Sequence, residues 1–322
     1  MKKIFFLLLL VFISSQITAQ VKVALHHNGT TTMFSGTQPF VNAYDASVNG
    51  DTIYLPGGVF TPPPVISKGL VIIGAGHYPD STLATGITDI SVLNIYTGAD
   101  RLKLQGMFIA GGINFEGSAR IDSVVFYRCY MGGINYSGPY DTATNCRGHL
   151  IYQNVIGTLS MTHTSNIRVF NNIISSLISM SENAWIKNNK IESVSGMTFC
   201  FFENNAIRNM ATDGYNTFRN NIFENAPSGG TNIYLNNYNN NSFTSIFQTL
   251  TAWFSYTDNY HLINPGAFPG TDGTQAGIYG GLYPYKDGAV PSNPHIRLKS
   301  IGLTPEANGK LKVNFTVAAQ NN

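Results

Sequence analysis

The sequence predicts an all-β chain wound into a parallel β-helix, and three observations carry that expectation. Adjacent asparagines recur as Asn171-Asn172, Asn188-Asn189, Asn204-Asn205, Asn220-Asn221 and Asn236-Asn237, their first members 17, 16, 16 and 16 residues apart. A short fixed period marks one supersecondary unit stacked on itself. Two places before each first Asn stands Val169, Ile186, Phe202, Phe218 or Tyr234; three places after it stand Ile174, Ile191, Ile207 and Phe223, until Asn239 ends the column. The segments between are rich in β-branched and aromatic residues and broken by Asn, Gly and Ser, which reads as strand and turn. Sixteen residues are too few for a βαβ unit or a propeller blade. They suffice for one coil of a β-helix, in which coils stack about 4.8 Å apart.

The frame extends upstream. Gln153-Asn154 is flanked by Ile151 and Ile156, Arg128-Cys129 by Phe126 and Met131, and Gly106-Met107 by Leu104 and Ile109. Asn tolerates the left-handed backbone that a sharp bend between strands requires. Counting by two from the inward apolar slot places the first Asn of each pair inward as well. There its amide can bond the amides above and below in an asparagine ladder.

The elements follow in order. Residues 1–19 read as a secretory signal peptide: Lys2 and Lys3, an apolar run from Ile4 to Ile13, and Ala19 as the cleavage point. That run is too short to span a bilayer, so the expected location is secreted, extracellular or periplasmic. Residues 20–264 form the β-helix with its N-terminal cap, and 265–322 a Gly/Pro-rich exit and a β-hairpin. Residues 20–36 read as an irregular polar leader. The apolar positions between Gln38 and Val48 have helical spacing and suit a short cap over the first coil. Gly50-Asp51 turns into the strand Thr52–Leu55, and Leu70–Ile73 is the next. After Asn241, Phe243, Ile246, Phe247 and Leu250 suit a short helix over the C-terminal end of the core. Two alternating stretches, Ile296–Leu303 and Leu311–Val317, meet at Asn308-Gly309 as a hairpin.

Composition narrows the partners. Charged residues make up 11% of the chain and the net charge is +2 without a basic cluster, which argues against nucleic acid. A neutral surface of amides, hydroxyls and aromatic rings suits carbohydrate. Of three cysteines, Cys129 and Cys146 flank or lie in the insertion that lengthens one coil and can staple it, while Cys200 reads as a buried free thiol. No spacing matches a zinc site, and no cofactor is expected. Asp272 in the loop GTDGT offers at most a weak calcium ligand.

The strings GDTIYLPGGVF and ISKGLVIIGAG, the pair AGGINF and MGGINY, and the segment NYHLINPGAFPGTDGTQAGIYGGLYP resemble secreted bacterial right-handed parallel β-helix proteins of the pectin-lyase-like superfamily. The resemblance covers nearly all of the chain after the signal and implies right-handed coiling. It does not imply one activity, because that superfamily spans lyases, hydrolases, epimerases and adhesins.

Lyases on this fold need a carboxylate cluster for calcium and a basic residue, and glycoside hydrolases need two or three close carboxylates. The repeat frame instead stacks Lys187, Glu203 and Arg219 in one column and Glu192, Arg208 and Glu224 in another. Alternating signs make a salt-bridge ladder, not a calcium site. No catalytic residue is assigned. The insertion carries Tyr136, Tyr140, Asp141, Arg147 and His149, and the outward slot beside it reads Tyr127, Tyr152, Phe170 on consecutive coils. Such a stripe either stacks on sugar rings, with the insertion walling the groove, or is buried beneath the insertion. The expected function is therefore a secreted, non-catalytic β-helix that binds a polysaccharide or cell-surface glycan. The alternative is a polysaccharide lyase or glycoside hydrolase acting on an extracellular polysaccharide.

Overall fold

The computed structural model describes residues 21–319 except 117–119, 137–145, 179–180, 212–213, 228–229 and 293. The expected signal peptide therefore lies outside the described residues, as do Tyr140 and Asp141 of the insertion. The chain is a parallel β-solenoid of about 9 turns. A 12-stranded sheet runs its length, from the N-terminal cap to Ile233–Leu235. An 11-stranded sheet faces it, from Gly58–Phe60 to Ile222–Phe223, and a 3-stranded sheet closes the middle coils. The register stacks like on like: Ile151, Val169, Ile186, Phe202 and Phe218 are successive partners, all fully buried. Phe202 and Phe218 stack at 4.7 Å, and Tyr234 continues the stack at 5.2 Å.

The corner after the first sheet reverses the expected roles of the two asparagines. The first of each pair, Asn171, Asn188, Asn204, Asn220 and Asn236, takes the left-handed conformation, with φ between 52° and 57°. A left-handed residue breaks the two-residue alternation of a strand, so the second Asn, not the first, turns inward. Asn154, Asn172, Asn189, Asn205, Asn221 and Asn237 form the ladder, each side-chain amide donating to the next Oδ1 at 2.9–3.1 Å. Each of those Oδ1 atoms also accepts the backbone N–H of the Asn below, at 2.9 Å.

Residues 23–34 are not an irregular leader. Val23–His27 and Thr30–Phe34 form a hairpin that pairs antiparallel with Thr52–Tyr54 and supplies Val23 and Leu25 to the core. The expected cap helix spans Pro39–Ala46 and buries Phe40, Ala43 and Tyr44.

The helix Phe243–Ile246 does not cover the end of the core. With the strands Phe247–Thr249 and Asn259–Leu262 it packs on the outer face of the second sheet, where Val155, Ile173, Ala206 and Ile222 form an outward apolar column. Lys190 shares that column, fully buried. Its ammonium is held by Glu192 and by the Trp253 carbonyl at 2.7 Å. Burial lowers its pKa to about 8 against the pull of Glu192.

From Pro265 the chain runs back along the solenoid as a strap held by the outward corner residues. Asn220 donates to the Pro269 carbonyl, Asn204 pairs with Thr271, Asn188 donates to Gly277 and Asn171 to Ile278 and Gly280. Gln153 donates to Pro284, Arg128 to Val290, and Gln105 meets Ser292. The expected tail hairpin follows as His295–Ile301 paired with Val313–Ala318.

Candidate binding surface

The described residues expected to bind a ligand fall in three places: the column of Tyr127, Tyr152 and Phe170, the core at Tyr136, and the third sheet at Arg147. Tyr127 and Tyr152 do stack in one outward column, with ring centroids 5.0 Å apart and planes 4° apart. The strap lies over this column. Tyr283 packs 4.8 Å from Tyr152 and stacks on Phe170 at 6.1 Å, leaving Tyr152 only 8% exposed. Tyr136 belongs to the core. Its ring stacks on Phe115 at 4.3 Å, and its hydroxyl donates to His149 Nδ1 at 2.8 Å. His149 Nε2 in turn donates to the Ile121 carbonyl, and burial lowers the imidazole pKa to about 4, so the neutral tautomer is fixed. Arg147 starts the third sheet, its backbone N–H donating to Asp122.

The three thiols are free and buried, so no Cys129–Cys146 staple forms. Cys129 and Cys200 instead stand one coil below an asparagine of a ladder. Cys129 N–H donates to Asn154 Oδ1 at 3.0 Å, and Cys200 N–H to Asn216 Oδ1 at 2.9 Å. Asn216 and Asn232 form a second ladder at the opposite corner. The charge columns pair as their spacing predicts. Glu203 lies 3.9 Å from Lys187 and 3.8 Å from Arg219, and Arg208 lies 2.6 Å from Glu192 and 2.5 Å from Glu224. Asp272 of the strap joins them through Lys187 at 3.0 Å and takes the amide and hydroxyl of Thr274. Among the described residues no three His, Cys, Asp or Glu side chains are grouped to hold a metal ion.

An aromatic patch that sequence reasoning missed lies on the outer face of the first sheet. Trp185 and Phe201 are register partners in one column, 52% and 41% exposed, with ring centroids 6.5 Å apart. Beside them, at the corner that leads into the sheet, Phe199 and Tyr215 are 53% and 61% exposed and stack at 5.1 Å. Both hold left-handed backbone, with φ of 55° and 57°. In the three coils before, the same corner position is filled by Gly148, Asn166 and Asn183, also at positive φ. Gly and Asn suit that conformation, whereas a bulky aromatic residue there is an outlier. Arg168 precedes Trp185 in its column, and the ladder of Lys187, Glu203 and Arg219 runs two residues further along the same strands. The patch thus places apolar rings beside a row of hydrogen-bonding charges. The signal was legible: Trp185 and Phe201 stand three places before a first Asn, and Phe199 and Tyr215 five.

A second concave site lies between the loop Tyr78–Ser81, the cover on the second sheet and the strap. This groove of about 330 Å³ gathers Asp80, Asp258 and Asp287 beside Tyr78, Tyr256 and His261. Asp287 accepts the Tyr279 hydroxyl at 2.6 Å, and Asp258 accepts the Thr251 hydroxyl at 2.8 Å. No family model, no curated protein and no solved structure matches this chain. Among the described residues no helix is long and apolar enough to cross a membrane.

Proposed function

We propose that this chain is an exported, non-catalytic β-helix protein that holds a polysaccharide or cell-surface glycan against the patch of Trp185, Phe199, Phe201 and Tyr215. The observation that carries the reading is the placement of Phe199 and Tyr215 at left-handed corner positions with their rings in solvent. Backbone strain of this kind costs about 1 kcal/mol per residue and persists where a site uses the side chain. Among the described residues the two rings stack on each other and otherwise face solvent, open to a ligand. Aromatic rings offer sugars an apolar face, and the adjacent Lys187, Glu203 and Arg219 supply partners for hydroxyls. The covered stripe supports the same chemistry, because Tyr283 rests against Tyr152 and Phe170 as an added ring would. Export rests on the Lys2-Lys3 start, the apolar run and Ala19. Membership of the pectin-lyase-like superfamily rests on the strings GDTIYLPGGVF and AGGINF.

The test is the double variant Phe199→Asn/Tyr215→Asn, assayed on a glycan array and by thermal melting. Binding is lost while the melting temperature holds or rises, because Asn suits the corner better. Unchanged binding would remove the patch as the site. A glycan-cleaving enzyme is the second reading, favoured by the three carboxylates in the groove beside His261. It requires release of reducing ends or unsaturated uronides from a polysaccharide panel, abolished by Asp287→Asn. A panel left uncleaved by the wild type ends that reading.

A further inference from the structure

The two ends of the solenoid are finished differently. At the N-terminal end, the hairpin of Val23–His27 and Thr30–Phe34 closes the first coil by antiparallel pairing, Leu25 opposite Ile53. At the other end, Ile233–Leu235 is the last strand of the first sheet, and its residues are 55%, 37% and 39% exposed. In each coil below, the corner amide is satisfied by the next coil. Asn188 N–H donates to the Glu203 carbonyl at 3.0 Å, Asn204 to Arg219 at 3.0 Å and Asn220 to Leu235 at 3.1 Å. Asn236 and Asn237 occupy the same positions in the last coil, and among the described residues no further coil follows in the sheet to receive their N–H groups. An exposed apolar edge with open donors and acceptors is a template for another strand.

The chain also carries a second hairpin that caps nothing. From Ile296 to Val317 every residue but Gly302 is exposed, including Ile296, Leu298, Ile301, Val313, Phe315 and Val317. A two-stranded hairpin alone in water is marginal at best. The strap delivers it to the wrong end, because Ser292 is anchored on Gln105. From the coil of Gln105 to that of Leu235 there are seven steps in the sheet order, about 34 Å at about 4.8 Å each. Among the described residues the strands His295–Ile301 and Val313–Ala318 pair only with each other, and Ile233, Tyr234 and Leu235 stay exposed, so the hairpin does not cover the open end of its own chain.

We infer that the tail hairpin caps the C-terminal end of a second copy, adding a strand to Ile233–Leu235 and covering Tyr234 as the N-terminal hairpin covers Ile53. The contact joins different surfaces of the two copies, so it does not close on itself and propagates head to tail. One interaction then satisfies both the uncapped edge and the unsupported hairpin.

Sedimentation velocity over a range of protein concentrations tests this with three forms. Wild type forms dimers and longer species as concentration rises. The variant Ile233→Lys/Leu235→Lys, altered only at exposed edge side chains, stays monomeric at the same concentrations. So does a chain ending at residue 292, which keeps the solenoid because the hairpin buries nothing against it. Mixing the two monomeric forms restores a species of twice the monomer mass and nothing larger, since one supplies a hairpin and the other an edge. Wild type that remains monomeric throughout overturns the inference, as does association of either variant by itself or a mixture without dimers.

Discussion

At the scale of single residues, the asparagine pairs divide two jobs that a strand cannot combine. The first Asn takes the left-handed turn and hands its side chain to the strap, and the second points inward and joins the ladder. Substitutions within one pair should therefore differ sharply. Asn205→Ala removes the acceptor of the buried Asn189 backbone N–H, leaving it unpaired, takes one of three acceptors from the Asn189 side-chain amide, and strips the Ile186 carbonyl of its donor. Chemical denaturation should register a loss of about 3 kcal/mol. Asn204→Gly keeps the positive φ and forfeits only the contacts to Thr271, so its loss should be nearer 1 kcal/mol. Equal losses at the two positions would contradict the division. The periodicity of these pairs was plain in the sequence, but their orientation was not. Counting by two assumes an unbroken strand, and the left-handed residue is where the strand breaks.

At the scale of elements, the strap decides which outward columns meet solvent. It covers Tyr152, and it stops short of Trp185 and Phe201, which remain exposed. Its close approach depends on glycine. A Cβ at Gly280 would collide with the Gln275 carbonyl and lie 2.7 Å from Asn188 Nδ2. Gly280→Ala should lift this part of the strap, at a cost of about 2 kcal/mol. Limited proteolysis should then cut within residues 265–292 faster than in wild type, while the ladder side chains stay protected. An unaltered cleavage pattern would show that the strap is held elsewhere. Sequence reasoning identified residues 265–294 as Gly/Pro-rich but not their path. Nothing in a local pattern says which distant corner a loop will follow when its partners, from Asn220 to Gln105, are spread across the whole solenoid.

At the scale of the whole molecule, two fully buried histidines link stability to pH. Burial lowers the pKa of His77 to about 3 and that of His149 to about 4, from an ordinary 6.5. The folded chain keeps both neutral, whereas the unfolded chain binds protons below pH 6.5, so protons favour unfolding. Their contribution is whole above pH 6.5 and is lost as pH falls through the window from 6.5 to about 3–4. Each histidine adds a slope of about 1.4 kcal/mol per pH unit within that window. His77 Nε2 has no hydrogen-bond partner, so His77→Phe should be tolerated at pH 7 and should reduce the acid slope by about half between pH 6 and 4. Denaturation midpoints at pH 7, 5.5 and 4.5 measure this. A slope unchanged by the substitution would place the linkage in other groups.

The sequence by itself determined the coil, because stacking converts a one-dimensional period into a register. Sixteen-residue spacing brings Ile186 onto Phe202 and Glu203 between Lys187 and Arg219 without help from any other segment. The N-terminal helix and the tail hairpin were legible for the same reason, since each depends on its own alternation or helical spacing. Only the tertiary structure decided what covers the coils. The leader became a capping hairpin because the first strand offered an unpaired edge. The helix at Phe243 went to the flank because the outward column of Val155, Ile173, Ala206 and Ile222 is apolar and needed burial. The strap took the Tyr152 stripe and left the patch of Trp185, Phe199, Phe201 and Tyr215 in solvent. These choices are contacts between segments from 26 to 187 residues apart, where no periodicity links partner to partner, and they fix which face of the solenoid remains free to bind.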